Sequence, residues 1–248
     1  MLLLARAPQR RLPLPDHETA LPRGPQGRKV LILALSAAIF FFHAYTAVTG
    51  LWSATLQRAM HWCLVGTLLF ILSAPPENSA GKTLGRVWDA FCILALATAT
   101  LYLFLHWESM TYRVVPPGRM EILFGSALLL ATLEAARRNS GLFLSLTALA
   151  FILYAMLGPY MPGILRHKGY SLGRIISYLY GTSGGIYGIP LGVSATYIIL
   201  FVFFGAFLNA SGAGRLLMEC SLALTGRFTG GAAKTAVDAS ALMGTMSG

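Results

Sequence analysis

Between Lys29 and Arg58 the chain reads VLILALSAAIFFFHAYTAVTGLWSATLQ, 28 residues without a charge. A helix needs about 20 apolar residues to cross the roughly 30 Å hydrocarbon core of a bilayer. The run is continuously apolar and does not alternate every second residue, which favours a helix over a strand of a membrane barrel. This stretch therefore predicts a transmembrane helix, and with it a membrane protein.

Other uncharged stretches extend this pattern along the chain. Four more are long enough for a span, with 18 residues between Arg58 and Glu77, 18 between Asp89 and Glu108, 27 between Arg138 and Arg166 and 40 between Arg174 and Arg215. The 12 residues between Glu121 and Glu134 become long enough if both carboxylates lie at the membrane interfaces. The sequence thus predicts an all-α, polytopic membrane protein with about six spans, at roughly 30–52, 59–75, 88–106, 119–136, 141–159 and 190–209.

The composition agrees with this fold class. Hydrophobic residues make up 56% of the 248 residues and charged residues 11%, whereas a soluble domain averages about 45–50% and about 25%. The three cysteines, Cys63, Cys92 and Cys220, form neither a CxxC pair nor a disulfide framework. These values exclude a disordered protein, a disulfide scaffold and most soluble enzymes.

The net charge of +10 predicts orientation in the membrane, not nucleic-acid binding, because the basic residues flank the apolar runs. With a cytoplasmic N-terminus, the inner segments carry thirteen Lys and Arg residues and the outer segments six. Cytoplasmic loops of membrane proteins are enriched in Lys and Arg. We therefore predict an inner-membrane protein with its N-terminus inside.

The segments between the spans differ in character. Residues 1–29 hold five of the twelve prolines and six of the nineteen basic residues, which predicts a disordered cytoplasmic tail. Residues 160–190 carry Tyr170, Tyr178, Tyr180 and Tyr187, a residue type typical of the membrane–water interface. A short interfacial helix is predicted there, from residues 164–165 and 172–176.

Several motifs have plain structural interpretations. SAGKT at 79–83 lacks the first glycine of a phosphate-binding loop, since position 76 is Pro. The histidines His43, His61 and His106 are compatible with a proton relay but are better interpreted as interfacial polar residues near helix ends.

Asp89 and Glu134 each have an Arg three positions away, Arg86 and Arg137. They are better interpreted as interfacial ion pairs than as coupling carboxylates. Asn209-Ala-Ser211 fits a helix-terminating cap with Gly212 better than a glycosylation site. The sequence contains no catalytic constellation, so we expect no enzyme.

From residue 186 onward the sequence becomes specific. The stretches IYGIPLGVSATYIILFVFFGAFLNASGAG and LALTGRFTGGAAKTAVDASALMGTMSG resemble the start of the large membrane subunit of tripartite ATP-independent periplasmic (TRAP) transporters. The likeness is greatest to fused permeases, in which a small four-helix subunit and the large subunit form one chain. Asn209 and Asp238 depart from the family pattern, which often has an acid near the first position and an apolar residue at the second.

The resemblance implies a secondary transporter that imports small organic anions, such as carboxylates. It implies a Na⁺ or H⁺ gradient as the driving force and a periplasmic substrate-binding protein as the partner. It also implies a static scaffold and a moving transport domain, of which the chain would hold only the first part. We accordingly predict a four-helix scaffold at 30–137, a connecting helix and junction at 138–189, and the start of the transport domain at 190–248.

The sequence also suggests an ion site near its end. Gly, Ser and Thr break helices at membrane depth and expose carbonyl and hydroxyl oxygens. We predict the start of a re-entrant hairpin whose turn at 244–248 binds the coupling ion, with Na⁺ held by Gly244, Thr245 and Ser247, and with Gly248 and Ser240 as further candidates. The alternative is a membrane scaffold or accessory subunit that does not itself transport.

Overall fold

The computed structural model describes residues 26–73, 82–111, 117–225 and 229–247. Its α-helices are α1 (Gln26–Thr49), α2 (Ala54–Leu72), α3 (Lys82–Thr111), α4 (Arg119–Ser140), α5 (Leu142–Leu157), α6 (Leu172–Gly181), α7 (Ile189–Val193), α8 (Ile199–Ala210), α9 (Ala213–Thr225) and α10 (Gly231–Ser247). Two 3₁₀ turns, Gly158–Tyr160 and Gly163–Leu165, lie between α5 and α6. A π-helical segment, Ser194–Ile198, joins α7 to α8, and the three form one helix, called α7–α8 below.

The predicted all-α membrane architecture is confirmed. Five described helices are long and apolar enough to span a membrane, over Gln26–Thr49, Ala54–Leu72, Thr83–Met110, Leu142–Tyr160 and Ile189–Leu208. The predicted fourth span is a 22-residue helix, α4, but it does not reach the same apolarity. It carries five charged residues, which include Glu121 near its start and Arg137 and Arg138 in its last turn.

The core lies in a bundle of α2, α3, α4 and α6, called the bundle below. Helix α3 presents one buried face along its length, with Cys92, Ala95, Leu96, Ala99 and Leu103 all at most 4% exposed. Those positions recur every three or four residues, the period of one helix face. Small residues on the partner helices let α3 approach closely, as is usual in membrane bundles.

Glycines allow the close contact between α4 and α6 and the break between α4 and α5. A Cβ atom at Gly125 on α4 would lie 2.6 Å from Cγ2 of Ile176 on α6, so α6 packs directly on the α4 backbone. Gly141 adopts φ +88°, a conformation that glycine adopts without strain, and it separates α4 from α5. Helix α5 buries none of its residues, so its apolar surface faces outward from the bundle.

The junction at 160–190 differs from its prediction. Tyr170 and Tyr178 are exposed, but Tyr180 and Tyr187 are completely buried in the bundle. The Tyr180 hydroxyl donates a 2.6 Å hydrogen bond to the carbonyl oxygen of Ala99. Helix α6 therefore packs as a bundle helix along its buried face, because Ile175, Ile176 and Tyr180 all point inward.

Other predicted boundaries shift. The predicted tail, 1–29, lies outside the described residues up to position 25, and residues 26–29 already belong to α1. Ile164, predicted for the interfacial helix, lies fully exposed in a 3₁₀ turn. The division into scaffold, connecting segment and transport domain stays a prediction.

Candidate functional site

The α9 and α10 helices pack against each other as a hairpin. Gly230 has φ +76° at the turn that leads into α10. At the turn end of the hairpin the hydroxyls of Thr225 and Thr235 lie 2.8 Å apart, so one donates to the other. The accepting hydroxyl donates its own hydrogen to a backbone carbonyl of its helix, that of Ser221 for Thr225 or that of Gly231 for Thr235. One turn before Thr225, Ser221 is 1% exposed, and its Oγ has no hydrogen-bond partner among the described residues. The interior of the hairpin is therefore narrow and lined by hydroxyl groups.

Sequence reasoning missed these interior positions. Their signal is a four-residue spacing of small residues, with Ser221 and Thr225 on α9 and Gly231, Thr235 and Ala239 on α10. Residues four apart lie on one helix face, and small residues allow close helix contact in a membrane.

The hairpin turn was predicted at 244–248, but residues 244–247 are helical in the structure, and ion binding at these residues stays a prediction. The turn lies before Gly231, and the chain is helical from there to Ser247. The reason is that α9 and α10 bury a shared strip of small residues, which holds α10 as one uninterrupted helix. Of the predicted ion ligands, Ser240 and Gly244 are exposed on α10, Thr245 and Ser247 lie in its last turn, and Gly248 lies outside the described residues.

The break between α8 and α9 follows the predicted cap. Gly212 takes φ +77°, and the hydroxyl of Ser211 donates to the carbonyl of Leu208 at 3.0 Å. These contacts end α8 and turn the chain into the hairpin.

A second polar arrangement joins α1 and α2 to α7–α8. Nε2 of His43 on α1 lies 2.9 Å from Nδ1 of His61 on α2. Nε2 of His61 lies 3.1 Å from the hydroxyl of Ser194, the first residue of the π-helical segment. Both histidines are 2% exposed. They are thus not the interfacial residues that the sequence predicted, and we call this set the histidine chain.

Neighbouring contacts reinforce this junction. The amide of Gln57 on α2 donates to the hydroxyl of Thr46 on α1 at 3.1 Å. Arg58 donates a 2.8 Å hydrogen bond to the carbonyl of Tyr187, and its guanidinium lies against Gly192. The first two helices are therefore fixed to the start of α7–α8 by polar contacts as well as by packing.

A cleft of about 240 Å³ opens beside the histidine chain. Its walls include His43 and Thr46 from α1 and Ala195 and Thr196 from the π-helical segment. π-helical segments occur often at functional sites. The cleft brings polar side chains of α1 next to that segment.

The predicted ion pair of Glu134 with Arg137 is present, and Arg138 contacts both Glu134 and Asp89. Arg138 contacts Oδ1 of Asp89 at 2.6 Å and Oε1 of Glu134 at 2.6 Å, and Arg137 contacts the other oxygen of Glu134 at 2.8 Å. Asp89 is 6% exposed, so its pairing with Arg138 crosses from α3 to α4 inside the bundle. The two arginines balance the charges of the two carboxylates, and the contact between Arg138 and Asp89 links α4 to α3.

A family comparison identifies the C-terminal part of the chain. Residues 127–248, just under half of the chain, match the family described as tripartite ATP-independent periplasmic transporter, DctM component. The resemblance seen from residue 186 onward is therefore confirmed, and the matched range begins earlier, within α4. No curated protein and no solved structure shows significant similarity to the chain.

Proposed function

Because residues 127–248 match the family of DctM components of TRAP transporters, we propose that the protein imports small organic anions across the bacterial inner membrane. The anions would be carboxylates, delivered by a periplasmic substrate-binding protein. A Na⁺ or H⁺ gradient would drive the uptake. The family match carries this proposal, and the five apolar helices supply the membrane context.

The architecture is compatible with this role. The bundle has a close-packed interior with buried ion pairs and completely buried large side chains, as expected of a rigid scaffold. The hairpin instead packs through small and hydroxyl-bearing residues. A transporter needs one part that stays fixed and another that moves, and these two regions provide that contrast.

We further propose that the coupling ion binds at the end of α10, with oxygens of Gly244, Thr245 and Ser247 as ligands and with Ser240 and Gly248 nearby. Carbonyl and hydroxyl oxygens are hard ligands that suit small cations. The hydroxyls of Ser221, Thr225 and Thr235 lie in the same hairpin, nearer its turn.

The uptake test uses the full-length protein, reconstituted in liposomes with a candidate periplasmic substrate-binding protein. A panel of radiolabelled organic acids is offered under a Na⁺ gradient or a pH gradient. Uptake that needs both the binding protein and one of the gradients is expected. If no gradient supports uptake above empty vesicles while the permease still binds its partner, the chain is a scaffold or accessory subunit.

The ion site is tested in the same assay. Thr245→Ala combined with Ser247→Ala is expected to raise the ion concentration for half-maximal uptake, since two hydroxyl ligands are removed. Thr147→Ala, on the outward-facing helix α5, is the matched control and should leave that concentration unchanged. An unchanged ion dependence in the double variant places the ion elsewhere.

The orientation proposal puts the N-terminus in the cytoplasm. In a variant without the native cysteines, Asn139→Cys would then lie inside and Ser171→Cys outside, and both positions are exposed. An impermeant maleimide applied to intact cells should label position 171 and not position 139. The reverse pattern would invert the topology.

A further inference from the structure

The histidine chain has a protonation pattern that its hydrogen bonds determine. Nδ1 of His43 lies 2.7 Å from the carbonyl oxygen of Ile39. A carbonyl can only accept, so this nitrogen carries a hydrogen. In the neutral ring the other nitrogen, Nε2, then has none and must accept from Nδ1 of His61.

The same reasoning continues to α7–α8. Since Nδ1 of His61 donates to His43, Nε2 of the neutral His61 ring is an acceptor. The hydroxyl of Ser194, 3.1 Å away, is therefore the donor to it. All three hydrogen bonds point the same way, from Ser194 through His61 and His43 to the backbone of α1. Nε2 of His61, which carries no hydrogen and lies beside Ser194, is the position that can take an additional proton.

From this geometry we propose that His43, His61 and Ser194 form a binding site for one proton, between the first two helices and the DctM segment. The proton forms an N–H bond at Nε2 of His61, and the 240 Å³ cleft lies next to the site because His43 and Ala195, the neighbour of Ser194, form part of its wall. Ser194 changes from donor to acceptor, and its own hydrogen turns to a backbone carbonyl of the preceding turn, as serine commonly does in helices.

The charge is shared between two helices once the proton is bound. Transfer of the Nδ1 hydrogen of His61 to Nε2 of His43, across 2.9 Å, moves the positive charge from α2 to α1. A single proton thus charges the contact between α1, α2 and α7–α8 without any change of the backbone.

The surroundings of the site contain no obvious counter-charge on its own helices. The sequences of α1, α2 and α7–α8 include no Asp or Glu. Helices α3 and α4 also pack on α2 and carry Asp89, Glu108, Glu121 and Glu134, of which Asp89 and Glu134 are held by Arg138. Helices α9 and α10 pack on α8 and carry Glu219 and Asp238. The other titratable or charged groups on the three helices are Arg28, Lys29, Tyr45, Arg58, Cys63 and Tyr197. The bound proton is therefore stabilised by the hydrogen bonds of the site itself.

The test is nuclear magnetic resonance of the complete protein with ¹⁵N-labelled histidine rings, in lipid nanodiscs, between pH 8 and pH 4. At high pH both His43 and His61 should carry the hydrogen on Nδ1, although free histidine in water favours Nε2. On acidification the pair should take up one proton in one step, while the protein stays folded.

Two variants separate the proposal from a merely structural role. Ser194→Ala removes the acceptor for the charged form, whose hydrogen bond is the stronger one, so proton affinity should fall about tenfold. His106→Gln, at an exposed histidine of α3, should leave the pair unchanged. The proposal is overturned if either buried ring carries its hydrogen on Nε2, if Ser194→Ala has no effect, or if the folded protein takes up no proton at the pair. The readout is independent of transport, so its failure is distinct from a failure of the proposed function.

Discussion

The bundle and the α9–α10 hairpin pack by different means. In the bundle, large side chains fill gaps left by small ones, as Ile176 and Tyr180 do at Gly125, and buried charges are paired across helices. In the hairpin, the described buried positions are small, such as Ser221, Thr235 and Ala239. Substitution of an interlocked side chain disturbs many close contacts. Substitution within a strip of small residues disturbs fewer. Substitutions should therefore cost more in the bundle than in the hairpin.

The largest effect is expected from Arg138→Met in the bundle. It leaves the carboxylate of Asp89, 8% exposed in its side chain, without its cation, and breaking a buried pair costs about 3–5 kcal/mol. The free energy of unfolding, measured by denaturant titration in mixed micelles, reports the loss. Arg137→Met is the control, since that side chain is 50% exposed and its pairing contributes about 1 kcal/mol or less.

A double variant then tests the cause. Asp89→Leu combined with Arg138→Met removes both buried charges, and it should be more stable than Arg138→Met alone. Equal stability of the single and double variants would show that the arginine acts through its contact with the Phe70 ring, 5.2 Å away, and not through its charge.

The next effect concerns the close approach of α4 and α6. Gly125→Val pushes side-chain atoms into Ile176 and Tyr180, and such overpacking typically costs about 1–3 kcal/mol. The melting temperature in detergent should fall accordingly. Gly205→Val on α8, where nothing lies within 4 Å of an added Cβ, is the matched control. Comparable losses in both variants would contradict the packing described for α6.

A smaller effect is expected inside the hairpin. Thr235→Val keeps the shape of the side chain but removes the hydroxyl that lies 2.8 Å from Thr225, and one such hydrogen bond contributes about 1 kcal/mol. Thermal unfolding should show a shift smaller than that of Gly125→Val. Thr147→Val on α5, whose hydroxyl bonds only to its own helix at Phe143, is the control. A shift equal to that of Arg138→Met would contradict the proposed difference in packing between the bundle and the hairpin.

The smallest effect has the opposite sign. Gly244 lies within α10, and nothing is within 4 Å of an added Cβ. Gly244→Ala should therefore stabilise the helix by up to about 1 kcal/mol, because alanine is the better helix former. A lower melting temperature would instead indicate a broken helix at this position, as first predicted from the sequence.

The sequence was sufficient for the fold class and for the family resemblance of the C-terminal part. Long uncharged runs predicted the apolar helices α1, α2, α3, α5 and α7–α8, and the pattern after residue 186 predicted the family that the comparison confirms. Helix α4 was also predicted, although its charges keep it below the apolarity of the others. These features are local, since apolar length and motif spacing can be counted along one segment.

The sequence was not sufficient for contacts between helices. It placed His43 and His61 at the interface, where the structure joins them to Ser194, 133 positions beyond His61. It likewise did not predict that Arg138 on α4 contacts Asp89 on α3.

What the sequence determined by itself is therefore the membrane class, the approximate helices and the family of the C-terminal part. Only the tertiary structure decided which polar groups meet, where the hairpin turns and that Tyr180 and Tyr187 are buried. The physical reason is that each residue advances about 100° around a helix, so contacts depend on the rotation and register of one helix against another. The length of an apolar run determines neither the rotation nor the register of a helix. The packing of all the helices together determines both.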